Sequence, residues 1–119
     1  MKVVGLAIRL LTACVVAGAS VGATAAEPTL DCKIGPIDKT FGGSHWLVYS
    51  CSDGKTLVFV TAPNSPAFPF YFELSPEKLG GEGTGDKKST DAAYTDISKL
   101  SNGDVAVLLQ ETRAAEHTQ

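Results

Sequence analysis

The sequence predicts an α+β domain: an antiparallel meander of about four strands followed by two helices packed on one face of the sheet. Three observations carry that reading. Two β-rich runs flank Asp53-Gly54, the pattern of a tight hairpin. Over residues 68–84, apolar residues alternate with period two between turn-rich segments, as in strands with one covered face. From Thr90 onward the period lengthens to about 3.6, the helical value.

Taken in order, residues 30–34 read as a short strand carrying Cys32, Gly35-Pro36 turns the chain, and residues 38–44 read as a loop. The hairpin follows. Centring its turn on Asp53-Gly54 fixes the register. Tyr49 then pairs with Val58 and Leu47 with Val60 on one face, while Val48 pairs with Phe59 and Ser50 with Leu57 on the other. Both faces are apolar, and the later helices can cover only one. Residues 68–74 form the next strand, with Phe70, Phe72 and Leu74 on one side and Pro69 at its entrance or at a sheet edge. Ser75-Pro76-Glu77-Lys78 turns the chain into a glycine-weakened strand over residues 79–84.

In the first helix Ala93, Ile97 and Leu100 share a face, with Thr90 or Asp91 as cap. Ser101-Asn102-Gly103-Asp104 is a capping-box pattern that opens a second helix, running through Val105, Leu108, Leu109 and Thr112 to about residue 115.

Residues 1–26 read as a secretory signal peptide: Lys2 and Arg9, an apolar run, then Ala23-Thr24-Ala25-Ala26. The run is about 13 residues, short of the ~20 that span a bilayer core. Arg9 lies too close to Cys14 for the Leu11-Thr12-Ala13-Cys14 box to serve as a lipid-attachment site. The expected product is a single exported domain over residues 27–119, periplasmic or secreted, with no membrane contact after cleavage. Of 10 basic and 13 acidic residues, Lys2 and Arg9 leave with the leader, so the mature net charge falls from −3 to about −5. That balance argues against nucleic acid as a partner.

Two cysteines remain, Cys32 and Cys51, in a chain bound for an oxidising compartment, and a disulfide between them is the simplest outcome. Closing a loop of about 20 residues stabilises the fold by about 3 kcal/mol through the unfolded chain. No Cys-x-x-Cys, zinc spacing or calcium-loop pattern occurs, so neither metal nor cofactor is expected.

Catalytic patterns are equally sparse. His45 has Ser44 as its chain neighbour, but no nucleophile elbow is present. The glycine-rich stretch over residues 80–90 suggests a phosphate loop, yet Asp86 stands where the lysine should follow Gly85. What remains there is a candidate ligand loop using Lys87 and Lys88 at the helix start. The aromatic residues Trp46, Phe68 and Tyr71 are the candidate partner-binding residues, because Phe68 and Tyr71 alternate away from Phe70 and Phe72.

The segments Trp46-Leu47-Val48-Tyr49-Ser50-Cys51, Asp53-Gly54, Pro69-Phe70-Tyr71-Phe72 and Gly81-Glu82-Gly83-Thr84-Gly85-Asp86-Lys87 resemble small exported proteins of Gram-negative bacteria without assigned activity. More locally, Tyr49-x-Cys51-x-x-Gly54-x-x-Leu57 is similar to the opening motif of periplasmic inhibitors of C-type lysozyme. That likeness implies an all-β barrel with inhibitory loops, but the matching second half is replaced by the two predicted helices. The expected function is a non-catalytic binding or interaction module for an unknown protein or small ligand; an inhibitor of a hydrolase such as lysozyme is the alternative.

Overall fold

The computed structural model describes residues 30–117, so the expected signal peptide and its cleavage site lie outside the described residues. Among the described residues, five strands precede two helices: β1 (Ile34–Phe41), β2 (Ser44–Ser50), β3 (Leu57–Thr61), β4 (Phe70–Leu74), β5 (Leu79–Gly83), α1 (Lys87–Ser98) and α2 (Asn102–His117). The sheet order β1-β2-β3-β4-β5 follows the chain, and every neighbouring pair is antiparallel. The architecture is the expected α+β meander with helices after it, with five strands where about four were expected.

The central hairpin has the predicted register: Tyr49 lies opposite Val58, Leu47 opposite Val60, Val48 opposite Phe59 and Ser50 opposite Leu57. Gly54 takes a positive φ of 70° at the turn. Asp53 does more than permit the turn. Its carboxylate accepts the Lys55 and Thr56 amides at 2.9 Å each and the Thr56 hydroxyl at 2.7 Å, closing the loop with side-chain bonds.

The first strand lies later than expected: residues 30–33, Cys32 among them, precede it, and residues 38–41, expected in a loop, belong to β1. The polar run Asp38-Lys39-Thr40 hid an edge strand, since an edge strand does not need apolar residues along its length. Gly42 and Gly43, with φ of 59° and 79°, turn this strand into β2, and a bulge between Ile34 and Ile37 absorbs Gly35-Pro36. Gly42 is required there for a second reason. A Cβ on it would lie 2.4 Å from the Ala93 nitrogen, so only glycine lets the turn seat against α1, where its amide donates to Asp96 Oδ2 at 2.6 Å.

The core forms between the sheet and the helices. Trp46, Val48, Leu57 and Phe59 are fully buried, with Phe72, Ala93, Ile97 and Leu108 beside them. The Trp46 indole N–H donates to the Phe41 carbonyl at 3.3 Å, which satisfies its one polar group. α2 is tied to β2 by a buried polar joint, with Thr112 Oγ1 2.7 Å from Ser50 Oγ. α1 starts earlier than expected. Its cap is Asp86, whose carboxylate accepts the Ser89 amide at 2.9 Å, whereas Thr90 is a buried residue inside the helix. The capping box of α2 is reciprocal: Asp104 N donates to Ser101 Oγ and Ser101 N to Asp104 Oδ2, each at 3.0 Å. A disulfide joins Cys32, ahead of β1, to Cys51 at the end of β2.

Candidate functional site

Strand alternation sends a second set of side chains to the face turned away from the helices. Pairing across the sheet lines five of them up in one row: Asp38, Leu47, Val60, Tyr71 and Glu82, one from each strand. Tyr49, Val58 and Glu73 form the next row. Leu47, Tyr49, Val58 and Val60 are half-buried, and among the described residues no second layer lies above them.

At the end of the first row the face dips into a hollow of about 430 Å³, lined chiefly by apolar groups of Val60, Phe68, Pro69, Tyr71 and Gly83. Phe68 and Tyr71 are 50% and 42% exposed. Two local features shape the hollow. Thr61 Oγ1 bonds both the Phe70 amide and carbonyl at 3.1 Å, holding the entrance of β4 against the end of β3. Gly83 has φ of 148°, and a Cβ there would meet the Pro69 carbonyl at 2.4 Å, so only glycine permits this close crossing. The Tyr71 hydroxyl donates to Glu82 Oε1 at 3.3 Å. The Glu82 charge, that hydrogen bond, slight desolvation and the Glu73 charge together raise the Tyr71 phenol pKa.

Of the three aromatic residues expected on a partner surface, Phe68 and Tyr71 line this hollow together. Trp46 does not. It lies at 0% exposure on the helix side, opposite Lys39 and Thr61 in the ladder, so it cannot touch a partner while the domain is folded. The surroundings of Lys87 and Lys88 give the expected ligand loop no support. The Asp86 carboxylate already occupies the amide end of α1, and Lys87 Nζ bonds Asp91 Oδ2 at 2.8 Å. A phosphate there would meet a fixed negative charge.

Val60 and Glu82 were missed as members of the site. The signal was available: a turn centred on Pro76-Glu77 pairs Tyr71 with Glu82 by counting outward. His45 does find a carboxylate, with Nδ1 2.9 Å from Asp38 Oδ1 on the exposed face, but Ser44 is buried on the opposite side. Ser65, on the neighbouring loop, accepts the Ala67 amide at 3.1 Å. Neither serine is held on the imidazole as a nucleophile. Among the described residues, no three of His, Cys, Asp and Glu gather as a metal site, and no helix is long and apolar enough to cross a membrane. No family model, curated protein or solved structure matches the chain.

Proposed function

We propose that this chain is an exported, non-catalytic binding module that holds an apolar segment of a protein partner on the sheet face away from the helices. The observation that carries the reading is the exposure of Phe68 and Tyr71 around one preformed apolar hollow, next to half-buried Val60. Exposed aromatic side chains beside an apolar depression are the usual anchors of an interface. The charges on that face narrow the partner. Its ionisable strand positions are the acidic Asp38, Glu73 and Glu82, with His45 beside them and Lys78 at the turn before β5, so the face is acidic on balance and a segment flanked by basic residues fits it best.

Export rests on the leader pattern over residues 1–26 and on the Cys32–Cys51 disulfide, a bond that persists in oxidising compartments. Intact mass of protein from the cell envelope should place its first residue at Ala26 or Glu27; a chain retaining Met1 would overturn export. For binding, immobilised wild type, Phe68→Ser and Tyr71→Ser would be compared for capture from an envelope extract. A partner retained by the wild type should fall at least tenfold on each variant, about 1.4 kcal/mol, at unchanged melting temperature. Equal capture by all three would sink the site.

A further inference from the structure

The two edges of the sheet are built differently. β1 is blunted: it carries a bulge, Pro36 offers no amide, and Lys39 is drawn to Glu111 of α2 at 3.1 Å. β5 has no proline and no bulge, and Gly81, Glu82 and Gly83 are exposed along it.

The backbone groups left open on β5 follow from its pairing with β4. Ser75 and Lys78 exchange two hydrogen bonds, at 2.9 and 3.3 Å, and Thr84 N donates to Pro69 O at 3.0 Å. Antiparallel ladders alternate, so Gly80 and Glu82 also bond inward. The N–H and C=O groups of Leu79 and Gly81 therefore point away from the sheet.

We propose that this edge pairs with itself: two copies of the chain join β5 to β5, antiparallel, about a two-fold axis at Gly80. Placing Leu79 opposite the second copy's Gly81 uses the two outward-directed residues of each chain and makes four backbone hydrogen bonds. The side chains then match. On the outer face Glu82 stands opposite the second copy's Lys78, twice by symmetry, and Gly80 faces the second copy's Gly80. On the helix side each Leu79 meets a glycine, large against small. Shifting the register by two residues to centre on Gly81 puts Glu82 opposite glycine and requires Gly83 to bond, although its φ of 148° has already left the strand conformation. Charge and backbone geometry select the same register. The product is a ten-stranded sheet with the two outer faces on one side, so both Phe68/Tyr71 hollows open in the same direction.

Sedimentation equilibrium of the mature chain over a concentration series tests this, with the melting temperature of dilute samples as the check on folding. The wild type should associate reversibly to a dimer. Lys78→Glu and Glu82→Lys each set like charges opposite one another and should lower the association constant at least tenfold; an equimolar mixture of the two variants should restore it. A Cβ at Gly80 meets nothing within 4 Å, and facing residues of a non-hydrogen-bonded pair sit about 4.5 Å apart. The Gly80→Cys variant should therefore cross-link into a covalent dimer on oxidation. A wild type that stays monomeric throughout, including one whose edge takes up only an extended peptide, overturns the proposal. So does a dimer indifferent to the charge changes whose Gly80→Cys variant fails to cross-link.

Discussion

The two faces of the sheet are made by the same strands from similar side chains, yet only one is a core. Trp46, Val48, Leu57 and Phe59 point to the helices and are fully buried, while their chain neighbours Leu47, Tyr49, Val58 and Val60 point the other way and are half-exposed to solvent. Apolar content does not separate the two sets. Cover does: α1 and α2 supply Ala93, Ile97 and Leu108 to one side only. An apolar side chain becomes structural when a second layer removes it from water, and stays available for contact when none does.

Truncation should break the comparison most plainly. Trp46→Ala and Phe59→Ala each remove a side chain at 0% exposure and should cost about 3 to 5 kcal/mol, measured by urea unfolding. For a domain of this size that threatens folding itself. Phe68→Ala and Tyr71→Ala, on exposed side chains, should stay within about 0.5 kcal/mol of wild type. If the outer-face pair destabilised as much as the inner pair, both faces would be core, and the candidate site would vanish with the distinction.

A smaller effect sharpens what the helices contribute. Thr112 on α2 and Ser50 on β2 are each at 0% exposure and share a hydrogen bond of 2.7 Å. Thr112→Val keeps the shape and leaves the Ser50 hydroxyl buried without that partner, which should cost about 1 to 3 kcal/mol. Adding Ser50→Ala should recover part of the loss, because the stranded hydroxyl goes with it. A double variant that loses the sum of both single effects would show that the joint does not couple helix to sheet.

The same contrast explains how far the sequence could be read. Local rules placed the central hairpin, the β4–β5 turn and the α2 capping box, since each rests on residues a few positions apart: Asp53 with Gly54, Ser75 with Lys78, Ser101 with Asp104. The outer set of Leu47, Tyr49, Val58 and Val60 followed from the register by counting. Trp46 was misplaced for a different reason. It belongs to the set opposite Leu47, and its aromatic character outweighed its parity when a surface was sought. The first strand was placed too early, at residues 30–34, because bonds to β2, not its own composition, make Asp38-Lys39-Thr40 extended. The cap of α1 was placed too late because Asp86 sits in a glycine-rich stretch whose helical continuation lacks an apolar period until Ala93. The hollow itself depends on Phe68 being brought over Val60 and Gly83, a tertiary closure no short pattern encodes.

The last and smallest effect probes the outer face without disturbing the fold. Tyr71 has its phenol pKa raised chiefly by the nearby Glu82 charge and secondarily by donating to that carboxylate, with desolvation and Glu73 adding in the same direction. Ionising the phenol would set two negative charges side by side and remove the proton that the hydrogen bond uses. The folded value exceeds the unfolded one, so the contribution to stability is complete below the ordinary phenol range and is lost as pH rises through the folded value. Glu82→Gln removes the first cause and reduces the second to a hydrogen bond with a neutral amide oxygen, and should bring the Tyr71 titration down toward the ordinary range. Phenolate absorbance against pH, differenced against Tyr71→Phe to isolate this residue from Tyr49 and Tyr94, gives the measurement. The melting temperature at neutral pH should hardly move, because both side chains are exposed. A Tyr71 titration unchanged by Glu82→Gln would mean that the two side chains do not share the rim of the hollow, and the cross-sheet row from Asp38 to Glu82 would lose its outermost contact.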